Sequence, residues 1–213
     1  MIKKQNYLKH AIVLFLLLLL MQPGRAWAAY ENVEFSSLTN HDGLTNSQVG
    51  AILKDTRGYI WFGTQSGLCR FDGFRMKTFY YSNTDDKSLP NNSVDELQQD
   101  YDGNIWVHTS VGYSIYKYDE EQFDRKPEEW LKNIHVQGPP YKLLIDKDKN
   151  MWIAVYGQGL YYHNAKTKNT YLFKFTKKAQ PGCLKEGNIS KITEVDGDAL
   201  ITYADGTICE QTV

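Results

Sequence analysis

The stretch Asp55-Thr56-Arg57-Gly58-Tyr59-Ile60-Trp61-Phe62-Gly63-Thr64, followed by Gly67-Leu68, decides the fold because the chain says it more than once. Displaced by 45 residues stands Asp100-Tyr101-Asp102-Gly103-Asn104-Ile105-Trp106-Val107-His108-Thr109, followed by Gly112-Tyr113. The lead-in repeats too, Leu44-Thr45-Asn46-Ser47-Gln48-Val49 returning as Leu89-Pro90-Asn91-Asn92-Ser93-Val94. A third copy starts at Asp146 and reaches Trp152 and Gly159-Leu160 with one extra residue. The fourth is worn: Asp196-Gly197-Asp198-Ala199-Leu200-Ile201-Thr202 has leucine where the others have tryptophan. A fixed period of this length marks a stacked-repeat protein.

Within a copy, turn residues divide the chain into four strand-like pieces, at residues 49–55, 59–64, 68–71 and 75–81 in the first. Glycine at Gly58 and Gly73 stands where a hairpin needs positive φ. The second strand is apolar on both faces, Ile60 and Phe62 on one side and Trp61 on the other, so it needs cover above and below. Four-stranded sheets covered on both faces by their neighbours are the blades of a β-propeller. The expected fold is therefore all-β, a partial propeller of about four blades: residues 44–88, 89–138, 139–187 and an incomplete blade at 188–213. Residues 29–43 precede them, with 33–38 placed to act as a ring-closing strand. Blade number alone allows a closed four-bladed ring; the lost tryptophan of the last copy favours an open arc, whose bare faces would self-associate.

The start of the chain has a different character. Lys3, Lys4 and Lys9 precede an unbroken apolar run at 11–21, and Ala26-Trp27-Ala28 offers small residues for a peptidase. Eleven helical residues span only about 17 Å, short of the ~30 Å hydrocarbon core. Residues 1–28 thus read as a cleaved signal peptide, giving a periplasmic protein with no membrane span after cleavage. Cleavage leaves 20 of the 24 basic residues against all 25 acidic ones, a net charge of −5 that disfavours nucleic acid. Of three cysteines, Cys69, Cys183 and Cys209, the last two could pair in an oxidising compartment, but spacing alone does not bring them together, and two separate small hydrophobic side chains are the favoured reading.

The run Asp-x-x-Gly-x-Ile-Trp-x-Gly-Thr-x-x-Gly-Leu from Asp55 to Leu68 resembles the two-component regulator propeller repeat. Phe35-Ser36-Ser37-Leu38, Asp42-Gly43-Leu44-Thr45-Asn46 and Asp85-Asp86-Lys87-Ser88-Leu89-Pro90-Asn91-Asn92 look like the opening of the periplasmic sensor region in hybrid two-component systems. The resemblance covers residues 30–163 well and the rest faintly. It implies paired propellers that detect glycans or their breakdown products and signal to a histidine kinase. It also implies many more blades, a β-sandwich, a membrane helix and kinase and receiver domains, none of which fits in 213 residues.

Chemistry of its own is hard to find in the chain. Asp146-Lys147-Asp148-Lys149-Asn150 starts like a calcium loop, but Met151 stands where glycine belongs, so it reads as a hairpin turn. His41, His108, His135 and His163 have no ligand-type spacing, and no metal is expected. His108 replaces the small Gly63 and Ala154 of its sister repeats, so it fills a packing gap or points at the channel. No nucleophile elbow and no phosphate loop is present, so neither a catalytic residue nor a cofactor is expected. Variable loops on a repeated scaffold are where recognition is built. His41, Asp42, Gln65, Asp85, Tyr156 and Gln158, in the loops opposite the Asp-x-x-Gly hairpins, are the expected ligand or partner residues. A sensing propeller answering to carbohydrate is the expected function. The alternatives are an exported lyase or glycosidase on a propeller and a protein-binding propeller.

Overall fold

Each repeat folds as its turns dictate. A computed structural model describes residues 37–175, 184–185 and 189–212. The segment read as a signal peptide, most of the expected strand at 33–38 and Cys183 lie outside them. The first blade is β1 (Val49–Lys54), β2 (Ile60–Thr64), β3 (Gly67–Phe71) and β4 (Met76–Phe79), in that order across the sheet. The second is β5 (Val94–Gln99), β6 (Ile105–Thr109), β7 (Gly112–Lys117) and β8 (Gln122–Asp124). The third is β9 (Pro140–Ile145), β10 (Met151–Val155), β11 (Gly159–His163) and β12 (Thr170–Lys174). The fourth has three described strands, β13 (Ile189–Val195), β14 (Asp198–Tyr203) and β15 (Ile208–Gln211). All these pairs are antiparallel, as four blades of a β-propeller require.

One aspartate organises each of the first three hairpins. Oδ1 of Asp55 accepts the amides of Arg57 and Tyr59, both at 2.9 Å. Asp100 does the same for Asp102 and Asn104, and Asp146 for Asp148 and Asn150. Residues 146–150 are thus a hairpin turn of the same build as their sisters. The third turn keeps the left-handed step without glycine, Lys149 taking φ 67° where Gly58 and Gly103 take 91° and 86°.

The second strand of each blade is the partition between cores. Trp61 points forward into a cluster with Val94, Leu97, Ile105 and Val107 of the second blade. Trp106 points forward to Met151, Ile153 and Val155 of the third, and Trp152 to Ala199, Ile201 and Tyr203 of the fourth. Three apolar junctions result, and among the described residues no buried cluster joins the fourth blade to the first. Leu200 occupies the tryptophan position on the face of β14 turned away from the third blade, where no described blade follows. The backward face of the first blade, Ile60, Phe62 and Cys69, packs against Leu38 and Leu44, so residues 38–44 cover a face that the open-arc expectation left bare.

A short helix α1 (Pro127–Leu131) and a 3-10 turn at Lys132–Ile134 interrupt the connection from the second blade to the third. An all-β reading does not foresee them. Leu131, Ile134 and Val136 enter the middle junction, and Trp130 meets Trp106 edge-on at 5.4 Å. Among the described residues no helix is long and apolar enough to cross a membrane.

Candidate functional site

The innermost strands share a device that binary patterning does not reveal. Val49 and Ala51 pair with the consecutive residues Thr64 and Gly63, leaving Gly50 as a bulge. Asp95, Tyr141 and Ser190 are left out in the same way at the same place in the other blades. A bulge releases a residue from the strand's alternation and re-aims it. The four bulged residues, Gly50, Asp95, Tyr141 and Ser190, have no chemistry in common although their backbones repeat.

Two of them serve one place. A groove of about 490 Å³ lies at the loop end between the second and third blades, and its lining includes His108, Val111, Tyr113, Glu128, Tyr141 and Tyr156. Asp95 Oδ1 is 2.6 Å from His108 Nδ1. A carboxylate only accepts, so Nδ1 carries the proton. Tyr141 stacks on Tyr156 with ring centroids 4.0 Å apart and planes 20° from parallel. Tyr156 is the outer ring, 63% exposed. Burial pushes the Tyr141 hydroxyl up to about 12, and its hydrogen bond to the Ile189 backbone ties the ring to the fourth blade.

The floor of the groove is fixed. Tyr113 donates its hydroxyl to Glu96 Oε2 at 2.9 Å and accepts the Leu143 amide at 3.1 Å, which sews β7 to β5 and β9. Burial, then the Glu96 charge, raises its phenol well above the ordinary range. Glu96 also pairs with Lys142 at 2.5 Å. These two charges sit on the innermost strands, in a central opening of about 470 Å³ that receives Ile52, Leu97, Leu143 and Lys191 from the four blades.

Of the six sequence-predicted residues, Tyr156 lines the groove. Gln158, in the same turn, is committed to the scaffold: it donates Nε2 to the Gln137 carbonyl at 2.8 Å and accepts the Tyr161 hydroxyl at 2.5 Å. Gln65, in the β2–β3 turn, accepts the Ser93 hydroxyl at 2.9 Å across the first junction. Asp85 lies in the connector between the first two blades, where its carbonyl accepts Arg125. His41 and Asp42 form a 3-10 turn in which Asp42 caps Thr39, an interaction that holds its carboxyl below the usual range. That turn adjoins the start of β4, since a Cβ on Gly43 would meet Met76 Cβ at 2.9 Å. His41 and Asp42 therefore sit toward the hairpin end of the blade and not with the other four. The chain reaches the loop end at Asn46, whose amide bonds Ser66 at 2.9 Å.

Sequence reasoning passed over Arg125 altogether. Its Nε and Nη2 donate to the carbonyls of Ser82, Asp85, Ser88 and Leu89 and to the Ser88 hydroxyl, at 2.6 to 3.2 Å. One guanidinium thus clamps the connector that pattern reading took for a free recognition loop. His108 carried the one usable signal, a large side chain where its sister repeats have small ones.

Comparison with known proteins agrees with this architecture. The model of the two-component regulator propeller family matches residues 43–66 and 88–110. Over 61 residues, 29% of this chain and 4% of the other, the chain is 41% identical to histidine kinase P4 of Formosa agariphila. The extracellular domain of a hybrid two-component system from B. thetaiotaomicron superposes with a TM-score of 0.58 at 24% identity, over 82% of this chain and 24% of that one. The extracellular domain of a one-component system from the same organism gives 0.53 at 16% identity, over 83% and 26%. The chain spans about a quarter of the length of these solved structures, and the likeness to them is one of fold.

Proposed function

We propose that this chain, which carries two-component regulator propeller repeats, is the exported ligand-sensing portion of a two-component sensor, that it answers to carbohydrate, and that signalling continues through a histidine kinase. The carrying observation is the contrast between its two ends. The hairpin end is built the same way around Asp55, Asp100 and Asp146, whereas the bulge position at the loop end holds a different residue in each blade. A scaffold held constant at one end and varied at the other is how repeat proteins present a recognition surface. Export is supported by the charged and apolar run at the start of the sequence and by the fold shared with extracellular domains. Sensing without catalysis is the reading that the kinase-linked family supports.

Purified protein screened by thermal shift against a panel of oligosaccharides tests this reading. One glycan class raising the melting temperature without being cleaved is the expected result. Release of shortened products in the same tubes points instead to a propeller enzyme, and no response to any glycan rejects the carbohydrate reading.

A further inference from the structure

The groove between the second and third blades combines three features in one place. It has a flat aromatic platform, Tyr141 under an exposed Tyr156. Lining the same groove is an imidazole whose tautomer is set by a carboxylate, His108 held by Asp95. Both supports, Asp95 and Tyr141, come from bulges, the positions that the repeat leaves free to vary. Stacked tyrosines with an exposed outer face suit a ring that is apolar on one side and polar at its edge. An oriented imidazole nitrogen beside such a face suits a hydroxyl.

The charges narrow the class of ring. Arg125 is the one Lys or Arg in the groove's lining, and its Nε and Nη2 are already bonded to the 82–89 connector. Lys142, on the neighbouring strand, is paired with Glu96. Glu128 adds an acid to the lining, and Asp95 stands behind His108. A carboxylate or sulfate entering here meets two acids against one guanidinium whose Nε and Nη2 donors are already taken, a poor exchange for its lost hydration. We infer that this groove is a binding site for one neutral pyranose ring of a saccharide, stacked on Tyr156 and hydrogen-bonded to His108 Nε2, with Asp95 and Tyr141 as the positioning residues. The inference rests on the carbohydrate reading and adds to it a site and a sugar class.

Isothermal titration of the purified chain with neutral hexasaccharides (laminarihexaose, xylohexaose, mannohexaose) and acidic ones (oligogalacturonate, a heparin fragment) tests it. A neutral sugar is expected to bind, and Tyr156→Ala to weaken it by about tenfold or more with the melting temperature unchanged, since the ring is largely exposed. Asp95→Ala is expected to weaken binding as well, whereas Asp95→Asn, which still accepts from Nδ1, restores most of the affinity. Binding confined to acidic sugars overturns the inference and leaves the carbohydrate reading standing. The same holds if a neutral sugar binds Tyr156→Ala and Asp95→Ala as tightly as the parent. Failure of every sugar to bind overturns both.

Discussion

Trp106 and Trp152 occupy the same position in successive blades, both essentially unexposed, yet they are held differently. Trp106 donates its indole N–H to Asp100 Oδ2 at 2.9 Å, and Trp61 makes the equivalent bond to Asp55 at 2.7 Å. In the third blade Asn150 bonds the corresponding oxygen of Asp146 at 2.9 Å, as Asn104 bonds Asp100 Oδ2 at 3.0 Å, yet the Trp152 N–H is buried without a partner. The junction therefore asks for a large apolar plate and tolerates an indole without its hydrogen bond. The position becomes less demanding along the chain, from a bonded indole to an unbonded one and then to Leu200.

Four measurements break or sharpen that contrast. Replacing Trp106 by Ala empties the middle junction of its largest plate and is expected to cost about 3 to 5 kcal/mol in urea denaturation. A loss under about 1 kcal/mol would reject the forward-pointing assignment. Next in size is the pair Trp106→Phe and Trp152→Phe. The first also removes a buried hydrogen bond and is expected to cost about 1 to 2 kcal/mol more than the second, which relieves an unsatisfied N–H. Equal costs would mean that the two indoles are held alike.

The third blade has a further unpartnered atom, which supplies a pH test. Thr170 donates to the Ile134 carbonyl at 2.6 Å, so its oxygen accepts His163 Nδ1–H at 2.8 Å and leaves the unprotonated Nε2 buried without a donor. Burial, then the Lys168 ammonium, holds this imidazole below its ordinary pKa. The unfolded chain therefore binds the proton more readily than the folded one. Its contribution to stability is complete above the ordinary value of about 6.5 and is lost as pH falls through the lowered folded one. Melting temperatures between neutral and mildly acidic pH should decline for the parent and decline less for His163→Phe; parallel profiles would clear His163 of the effect. Smallest of all is Leu200→Ala, expected to cost under about 1 kcal/mol because the side chain is half-buried on a face against which no described blade packs. A cost near that of Trp106→Ala would show that face to be covered.

The same physics explains what the sequence disclosed. The blades were legible because Gly58, Trp61 and Gly67 answer to local demands, a left-handed turn, a two-faced strand and a tight approach, and those demands recur at fixed spacing. At Gly159 the approach is so close that a Cβ would lie 2.2 Å from the Phe173 carbonyl oxygen, which leaves the chain no alternative to glycine. The bulges were not legible, since Gly50, Asp95, Tyr141 and Ser190 share a backbone irregularity and no side-chain signature. Arg125 was hidden for another reason: its partners stand 36 to 43 residues earlier, and no local pattern encodes such a clamp. Helix α1 was missed because five residues are too few to show a helical period. Tyr156 was found by its position in a variable turn, whereas its platform mate Tyr141 lies inside a strand, at a bulge that no side-chain pattern marks.

That Trp61, Trp106 and Trp152 each reach toward the following blade gives the stack a heredity as well as a direction. Each repeat presents the bulky half of a joint on one side and the receiving half on the other, aliphatic residues such as Ile105 and Val107 or Ile153 and Val155. A block of coding sequence copied at the same point in two neighbouring repeats would arrive with both halves already matched in kind to its new neighbours. Loss of one block would likewise bring together two halves of compatible make. The number of blades is for that reason a quantity that recombination can change in whole steps, while the bulge residues remain free to change singly within each step.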